Sequence, residues 1–246
     1  MRELKAKKSL GQHFLRSEKA LEQIVNTLPK STNEIVFEIG PGEGVLTERI
    51  LSKGFTIAVV EIDKRSIELL QKKFKSEIQN KKLFIIEKDC LEVDYKKEIE
   101  EINKQAKTNF KKYFLLGNIP YYITGAIFRS SFEQKLLPTD IAFLVQKEVA
   151  QRITARDKKE SILSVSIKIF TDEVKIVDIV KAGSFSPPPK VDSAIISISN
   201  IQDVFGSIKK QEIFFQILRA GFSHKRKYIL SNLKTDLDEK EALEKL

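Results

Sequence analysis

One cysteine, Cys90, is all the chain contains, which excludes an intrachain disulfide and fits a reducing cytoplasm. No apolar run approaches the ~20 residues that a bilayer-crossing helix needs. The amino-terminal Met1-Arg2-Glu3-Leu4-Lys5 is basic but has no apolar segment behind it, so no secretory signal is expected. These absences favour a cytoplasmic protein without a membrane partner. Tryptophan is missing as well, and that excludes nothing.

What is present sets the class. A length of 246 residues favours one large domain, or one domain with a small appendage. With 41% hydrophobic and 31% charged residues, the chain can bury a core and stay soluble. A net charge of +9 favours a polyanionic partner, whose phosphates supply salt-sensitive affinity. A lysine-rich composition that merely aids solubility is the competing explanation.

The chain opens with a basic, aromatic arm, Lys5 to Arg16, that has no periodicity and is expected to be a loop. Ser17 can then cap a helix whose apolar positions are Leu21, Ile24, Val25 and Leu28, and Pro29 ends it. A buried strand over 35–39 runs into Gly40-Pro-Gly-Glu-Gly44, and a helix from Val45 follows, with Gly54 near its carboxyl end. The next strand ends in Glu61. This is the opening βαβ of a Rossmann-like sheet. Gly40 and Gly42 let backbone approach a ligand, and Glu61 at a strand tip can accept ribose hydroxyls. The G-x-G-x-G spacing, with Val45 where a dinucleotide fingerprint has its third glycine, argues against an oxidoreductase and for another nucleoside-type cofactor.

A helix over 64–74 and a strand over 83–87 continue the alternation. Asp89, just past that strand, can bond an adenine amino group or simply cap a turn. Residues 95 to 112 are expected to form a solvated helix and loop. Strand 113–117 then leads into Asn118-Ile-Pro-Tyr121. Ile119 precedes proline and is held extended, so a helix can begin only later. Asn118 thereby sits at a strand's carboxyl end, where its amide can grip an amino group, with the ring of Tyr121 close behind as a face for a base. Further strands are expected over 140–145, 174–182 and 190–198. The rigid loop between the last two places Phe185 and Lys190 at one end of the sheet. Seven strands with intervening helices give an α/β domain over residues 1–200. Residues 201–246 are expected to form a small α-helical domain, in which Lys225, Arg226 and Lys227 make a basic cluster that is either a solvated face or an RNA contact.

These pieces resemble the ribosomal RNA adenine N6,N6-dimethyltransferases. The matching segments are Ser9-Leu-Gly-Gln-His-Phe-Leu15, Glu38-Ile-Gly-Pro-Gly-Glu-Gly44, Glu61-Ile-Asp63, Asp89, Asn118-Ile-Pro-Tyr-Tyr-Ile-Thr124, Gln146 to Ile153, Phe185 to Ala194 and Phe222 to Lys227, in the family's order. The resemblance implies a class I methyltransferase fold with S-adenosylmethionine as methyl donor and no metal. By position, His13, Leu15, Gly40, Glu61, Asp89 and Asn118 would contact the donor. Leu15 would do so through its backbone, and His13 stands where the family often has Asn. The family carries Tyr-Gly before Leu163, whereas this chain has Glu160-Ser161-Ile162, a difference assigned to a surface loop. The implied substrate is a pair of adjacent adenosines near the 3′ end of small-subunit (16S) rRNA, in a 30S particle, with the enzyme acting as a monomer.

Chemistry agrees with that. The adenine N6 lone pair is delocalised, and the donor is reactive, so positioning and desolvation matter more than a strong base. Asn118 and the Ile119 carbonyl can accept the N6 hydrogens, while Tyr121 and Phe185 can flank the flipped base. Two further readings stay open: a large-subunit (23S) rRNA methyltransferase of the macrolide-resistance type, and a non-catalytic assembly factor.

Overall fold

Apolar strands that alternate with amphipathic helices can bury both faces of a sheet only if helices cover each side. The computed structural model, which describes residues 4–7, 10–155 and 159–224, has that arrangement. In chain order, strand β1 (Phe14–Leu15) precedes α1 (Glu18–Val25), β2 (Ile35–Ile39), α2 (Val45–Ser52) and β3 (Ile57–Glu61). Helices α3 (Lys64–Lys73) and α4 (Lys75–Gln79) then lead to β4 (Leu83–Glu87), α5 (Tyr95–Ala106) and β5 (Tyr113–Asn118). After these come α6 (Thr124–Phe132), β6 (Asp140–Gln146), α7 (Lys147–Thr154) and α8 (Ile162–Lys168). The described chain closes with β7 (Glu173–Val180), β8 (Phe185–Ser186), β9 (Ser193–Ser199) and α9 (Ile208–Gly221).

The expected seven strands form one sheet in the order β4-β3-β2-β5-β6-β9-β7. The first five pair in parallel, and β9 runs antiparallel to both β6 and β7. Alternation along the strands divides the core in two. Ile35, Phe37 and Ile39 face one cluster with Tyr113 and Phe128, whereas Val36 and Phe114 face the other with Leu21, Ile50 and Phe74. Strands buried on both faces appear in the sequence as unbroken apolar runs, which is why β2 and β3 stand out there.

Three expectations change. The arm is not simply a loop: Phe14 and Leu15 form β1, which pairs antiparallel with β8, Leu15 opposite Phe185. Helix α5 is not merely solvated, because Tyr95, Ile99 and Ile102 recur at helical spacing among its charges and are buried. The Glu160-Ser161-Ile162 stretch starts α8, with Ser161 and Ser164 forming a capping box. Toward the carboxyl end, Phe215 and Leu218 of α9 belong to the first core cluster, and Phe205 meets Phe170 edge-on at 5.6 Å. Lys225, Arg226 and Lys227 lie outside the described residues. No helix among the described residues is long and apolar enough to cross a membrane.

Candidate active site

In a doubly wound sheet the carboxyl ends of the strands open a crevice where the strand order reverses. Here the order turns between β2 and β5, and a cavity opens there. Four neighbouring strands deliver the predicted residues to it: Gly40 after β2, Glu61 at the end of β3, Asp89 after β4 and Asn118 at the end of β5. The arm adds His13 and Leu15, and Ile119, Pro120 and Tyr121 complete the wall around Asn118.

The two glycines in the loop differ in what they leave room for. Gly40 has a φ of 65°, and a Cβ there would meet only the Asn118 carbonyl, at 3.8 Å, so its lack of a side chain keeps the cavity open. At Gly42, with a φ of 55°, a Cβ would come within 3.0 Å of the Phe14 ring. That glycine makes room for the arm and also borders the cavity.

The acids are held by defined partners. Glu61 accepts the backbone N–H groups of Ile62 and Asp63 on Oε1, at 2.8 and 2.9 Å. Burial raises its pKa above the usual carboxylate value. Asp89 accepts the Leu91 N–H on Oδ1 at 2.9 Å, so it caps the short turn Cys90–Glu92 and still borders the cavity. The Cys90 thiol is pushed up to about 12 by burial and the Asp89 charge, which rules it out as a nucleophile near neutral pH.

Asn118 is the best-oriented group. Its Nδ2 donates one hydrogen to the His13 carbonyl at 2.7 Å, which fixes the orientation of the amide and presents Oδ1 as an acceptor. The Tyr121 hydroxyl bonds Ser193, and burial holds the phenol above its ordinary pKa, so the ring is a neutral surface and not a base. The His13 ring lies over Tyr121 with centroids 5.8 Å apart, and its Nδ1 is 2.8 Å from the Pro187 carbonyl. The His13 side chain therefore braces Tyr121 and the loop at Pro187.

Phe185 needs correcting. Its pairing with Leu15 buries the ring in the second core cluster at 4% exposure, so it supplies no second wall for a base. Tyr122, 65% exposed and bordering the same cavity, is the additional ring on that side. Lys190 is exposed and outside the cavity wall.

Glu38 belongs to the Glu38-to-Gly44 segment but has no role in the sequence reading. It is 2% exposed in β2, borders the cavity, and accepts the Thr47 hydroxyl at 2.6 Å. The signal was there: an acid inside the wholly buried run Ile-Val-Phe-Glu-Ile is rare unless it has a function or a partner. Burial, reinforced by the Glu61 charge, raises its pKa from 4.5 to about 8. Between those values the folded protein keeps a proton that the unfolded chain releases. The associated stability is complete below 4.5 and lost as pH rises to about 8. The slope is at most about 1.4 kcal/mol per pH unit. Glu38→Gln is expected to flatten the fall of Tm across this window, and a slope equal to wild type would contradict the assignment. The Glu61 shift has the same sign, so part of the slope should persist.

Comparison with known proteins gives a consistent result. The family model described as Ribosomal RNA adenine dimethylase matches residues 3–245. A Ribosomal RNA small subunit methyltransferase A from Dehalococcoides mccartyi is 40% identical over 94% of this chain and 75% of its own length. A protein of the same name from Mycoplasma mycoides is 36% identical over 99% of this chain and 88% of its own. Among solved structures, a dimethyladenosine transferase from Plasmodium falciparum superposes with a TM-score of 0.72 at 30% identity, covering 90% of this chain and 75% of that one. The 23S rRNA methyltransferase ErmE superposes at 0.70 and 24% identity, over 92% and 86%, which speaks to the fold alone.

Proposed function

Since the chain belongs to the ribosomal RNA adenine dimethylase family, whose methyl donor is S-adenosylmethionine, we propose that it dimethylates N6 of two adjacent adenosines near the 3′ end of small-subunit rRNA. The observation that carries this reading is Asn118. A fixed amide whose oxygen has no hydrogen-bond partner among the described residues sits on the same cavity as Glu61 and Asp89.

The donor brings a methyl group on a sulfonium centre, an electrophile that asks for orientation and dryness more than for a base. Glu61, with Oε1 tied to backbone, would accept ribose hydroxyls on Oε2. Asp89, with Oδ1 likewise occupied, would accept the adenine amino group on Oδ2. The open space at Gly40 would admit the donor's methionine portion, with the Leu15 backbone and Ile119 beside it. On the substrate side, Asn118 Oδ1 and the Ile119 carbonyl would accept the two N6 hydrogens before the first transfer and the one that remains before the second, each transfer releasing one N6 proton to solvent. Held in that way, the nitrogen lone pair would be drawn out of the ring and aimed into the cavity where the donor binds. Tyr121 supplies the stacking face for the flipped base, and Pro120 fixes the turn between the two.

Incubating labelled S-adenosylmethionine with unmethylated small subunits, and separately with large-subunit RNA, tests the substrate. Label confined to the small-subunit RNA is expected, and label confined to the large-subunit RNA would overturn the proposal. An assembly role in the same particle is compatible with catalysis, but a chain that only assembled would not need the Asn118 arrangement. We place the enzyme in the cytoplasm as a monomer acting on a 30S particle. The basic residues Lys190, Lys225, Arg226 and Lys227 are proposed to bind phosphates. Neutralising the last three is expected to weaken RNA binding and to lower the slope of affinity against salt by ~1 for each phosphate left without its cation. A slope identical to wild type would remove them from the interface.

A further inference from the structure

Asp63 stands two residues beyond Glu61 and caps α3 by accepting the Arg65 N–H at 3.3 Å. A cap needs one carboxylate oxygen, yet both oxygens of this nearly inaccessible side chain carry more. Oδ1 also accepts from Lys7 Nζ at 3.2 Å and Arg65 Nε at 3.1 Å. Oδ2 accepts from Gln12 Nε2 at 3.1 Å and Arg65 Nη2 at 2.6 Å. Arg65 reaches onward, donating from Nη1 to the Lys5 carbonyl at 3.0 Å.

Lys5, Lys7 and Gln12 all belong to the amino-terminal arm, and the arm is braced within itself by the Lys7 N–H on Gln12 Oε1 at 2.9 Å. It is also tied to the glycine loop, where Glu43 Oε1 accepts the Leu4 N–H at 3.0 Å and Oε2 pairs with Arg16 Nη1 at 2.6 Å, and to Asn118 Nδ2 through the His13 carbonyl at 2.7 Å. Between and beyond these tethers, Leu10 to Leu15 form part of the cavity wall. The cavity is thus closed on one side by a segment whose described residues before Phe14 join neither apolar core cluster. Glu61 Oε1 grips the Asp63 N–H, so the acid assigned to the ribose and the acid that holds the arm share one rigid turn.

We propose that Asp63 is a positioning residue that fastens the arm over the bound donor, so that its charge sets how long the donor stays. The proposal rests on the reading of Glu61 as the ribose ligand. Asparagine at this position caps a helix as well as aspartate does, but it cannot form the ion pairs with Lys7 and Arg65.

Asp63→Asn should therefore spare the fold and loosen the arm. The donor's Kd and KM are expected to rise about tenfold through faster dissociation, the scale of one missing charge-assisted hydrogen bond. At saturating donor and RNA, kcat should stay within about twofold of wild type. Lys7→Met with Gln12→Leu should reproduce the loss from the arm side. Combining all three changes should add little, because they break one linkage. Unchanged donor affinity in Asp63→Asn, or full additivity with the arm variants, would overturn the proposal. Glu61→Gln, measured in parallel, separates the two claims. If it weakens donor binding while Asp63→Asn does not, only the fastening role fails. If neither does, the ribose assignment fails too.

Discussion

Asn118→Ala is expected to lower the methyl-transfer rate by about a hundred- to a thousandfold, the scale seen when one preorganised polar group is removed from a reacting centre. The size follows from what the side chain does. Its nitrogen is bound to the His13 carbonyl, so rotation of the amide is already restricted before any base arrives. The oxygen therefore meets the amine without a further ordering cost, and alanine leaves nothing in its place. Donor affinity should fall by about tenfold at most, because the lost bond to the His13 carbonyl loosens the arm while Glu61 and Asp89 are untouched, and RNA affinity should hold, since phosphate contacts dominate it. Single-turnover kinetics with saturating donor give the rate, and equilibrium titration gives both affinities. A variant that turns over at the wild-type rate would remove Asn118 from the mechanism. A variant that loses donor binding as strongly as it loses rate would leave the residue as a donor contact only, with no part in orienting the amine.

Glu61→Gln is expected to weaken donor binding by roughly tenfold to a hundredfold, the equivalent of about 1.5–3 kcal/mol for hydrogen bonds to a charged acceptor. Glutamine is the informative replacement. Its amide oxygen can still accept the Ile62 and Asp63 N–H groups, so the turn after β3 should keep its shape. What is lost is the negative charge and Oε2, the acceptor oxygen that the backbone leaves for the ribose hydroxyls. Alanine would also orphan those two backbone donors and confuse a folding defect with a binding defect. Calorimetric titration with the donor reads the effect directly. Affinity within twofold of wild type would exclude Glu61 as the ribose ligand.

Why some of this is legible in the sequence follows from the physics of each element. Parallel strands covered on both faces are written as apolar runs, and the sheet over 35–39, 57–61, 83–87 and 113–118 can be found from them. Residues at the tips of such strands converge by topology, so Gly40, Glu61, Asp89 and Asn118 can be placed together without coordinates. Pairings between distant segments cannot. Nothing local in Phe14-Leu15 announces a two-residue strand, because its partner Phe185-Ser186 lies far along the chain. The same pairing turns Phe185 inward, away from the base it was expected to cover. Asp63 is hidden differently: within the sequence it is an ordinary helix cap, and its ties to Lys7 and Gln12 exist only when the arm is folded back. In α5, the high charge masks three apolar positions whose spacing is helical throughout.

Fold alone does not separate the small-subunit from the large-subunit reading, since the superpositions on the dimethyladenosine transferase and on ErmE are nearly equal. The relatives of higher sequence identity favour the small subunit. The central claim concerns the atom that is modified and the residue that orients it. It is tested most directly by reacting small-subunit RNA with isotope-labelled S-adenosylmethionine for just long enough for the wild type to finish, then digesting the RNA and weighing both the fragments and their nucleosides, with wild type and Asn118→Ala side by side. The wild-type protein should yield labelled N6,N6-dimethyladenosine at adjacent positions near the 3′ end, and the variant almost none even at saturating donor. Label on a ribose oxygen or another base, or full dimethyladenosine from the variant, would contradict the account.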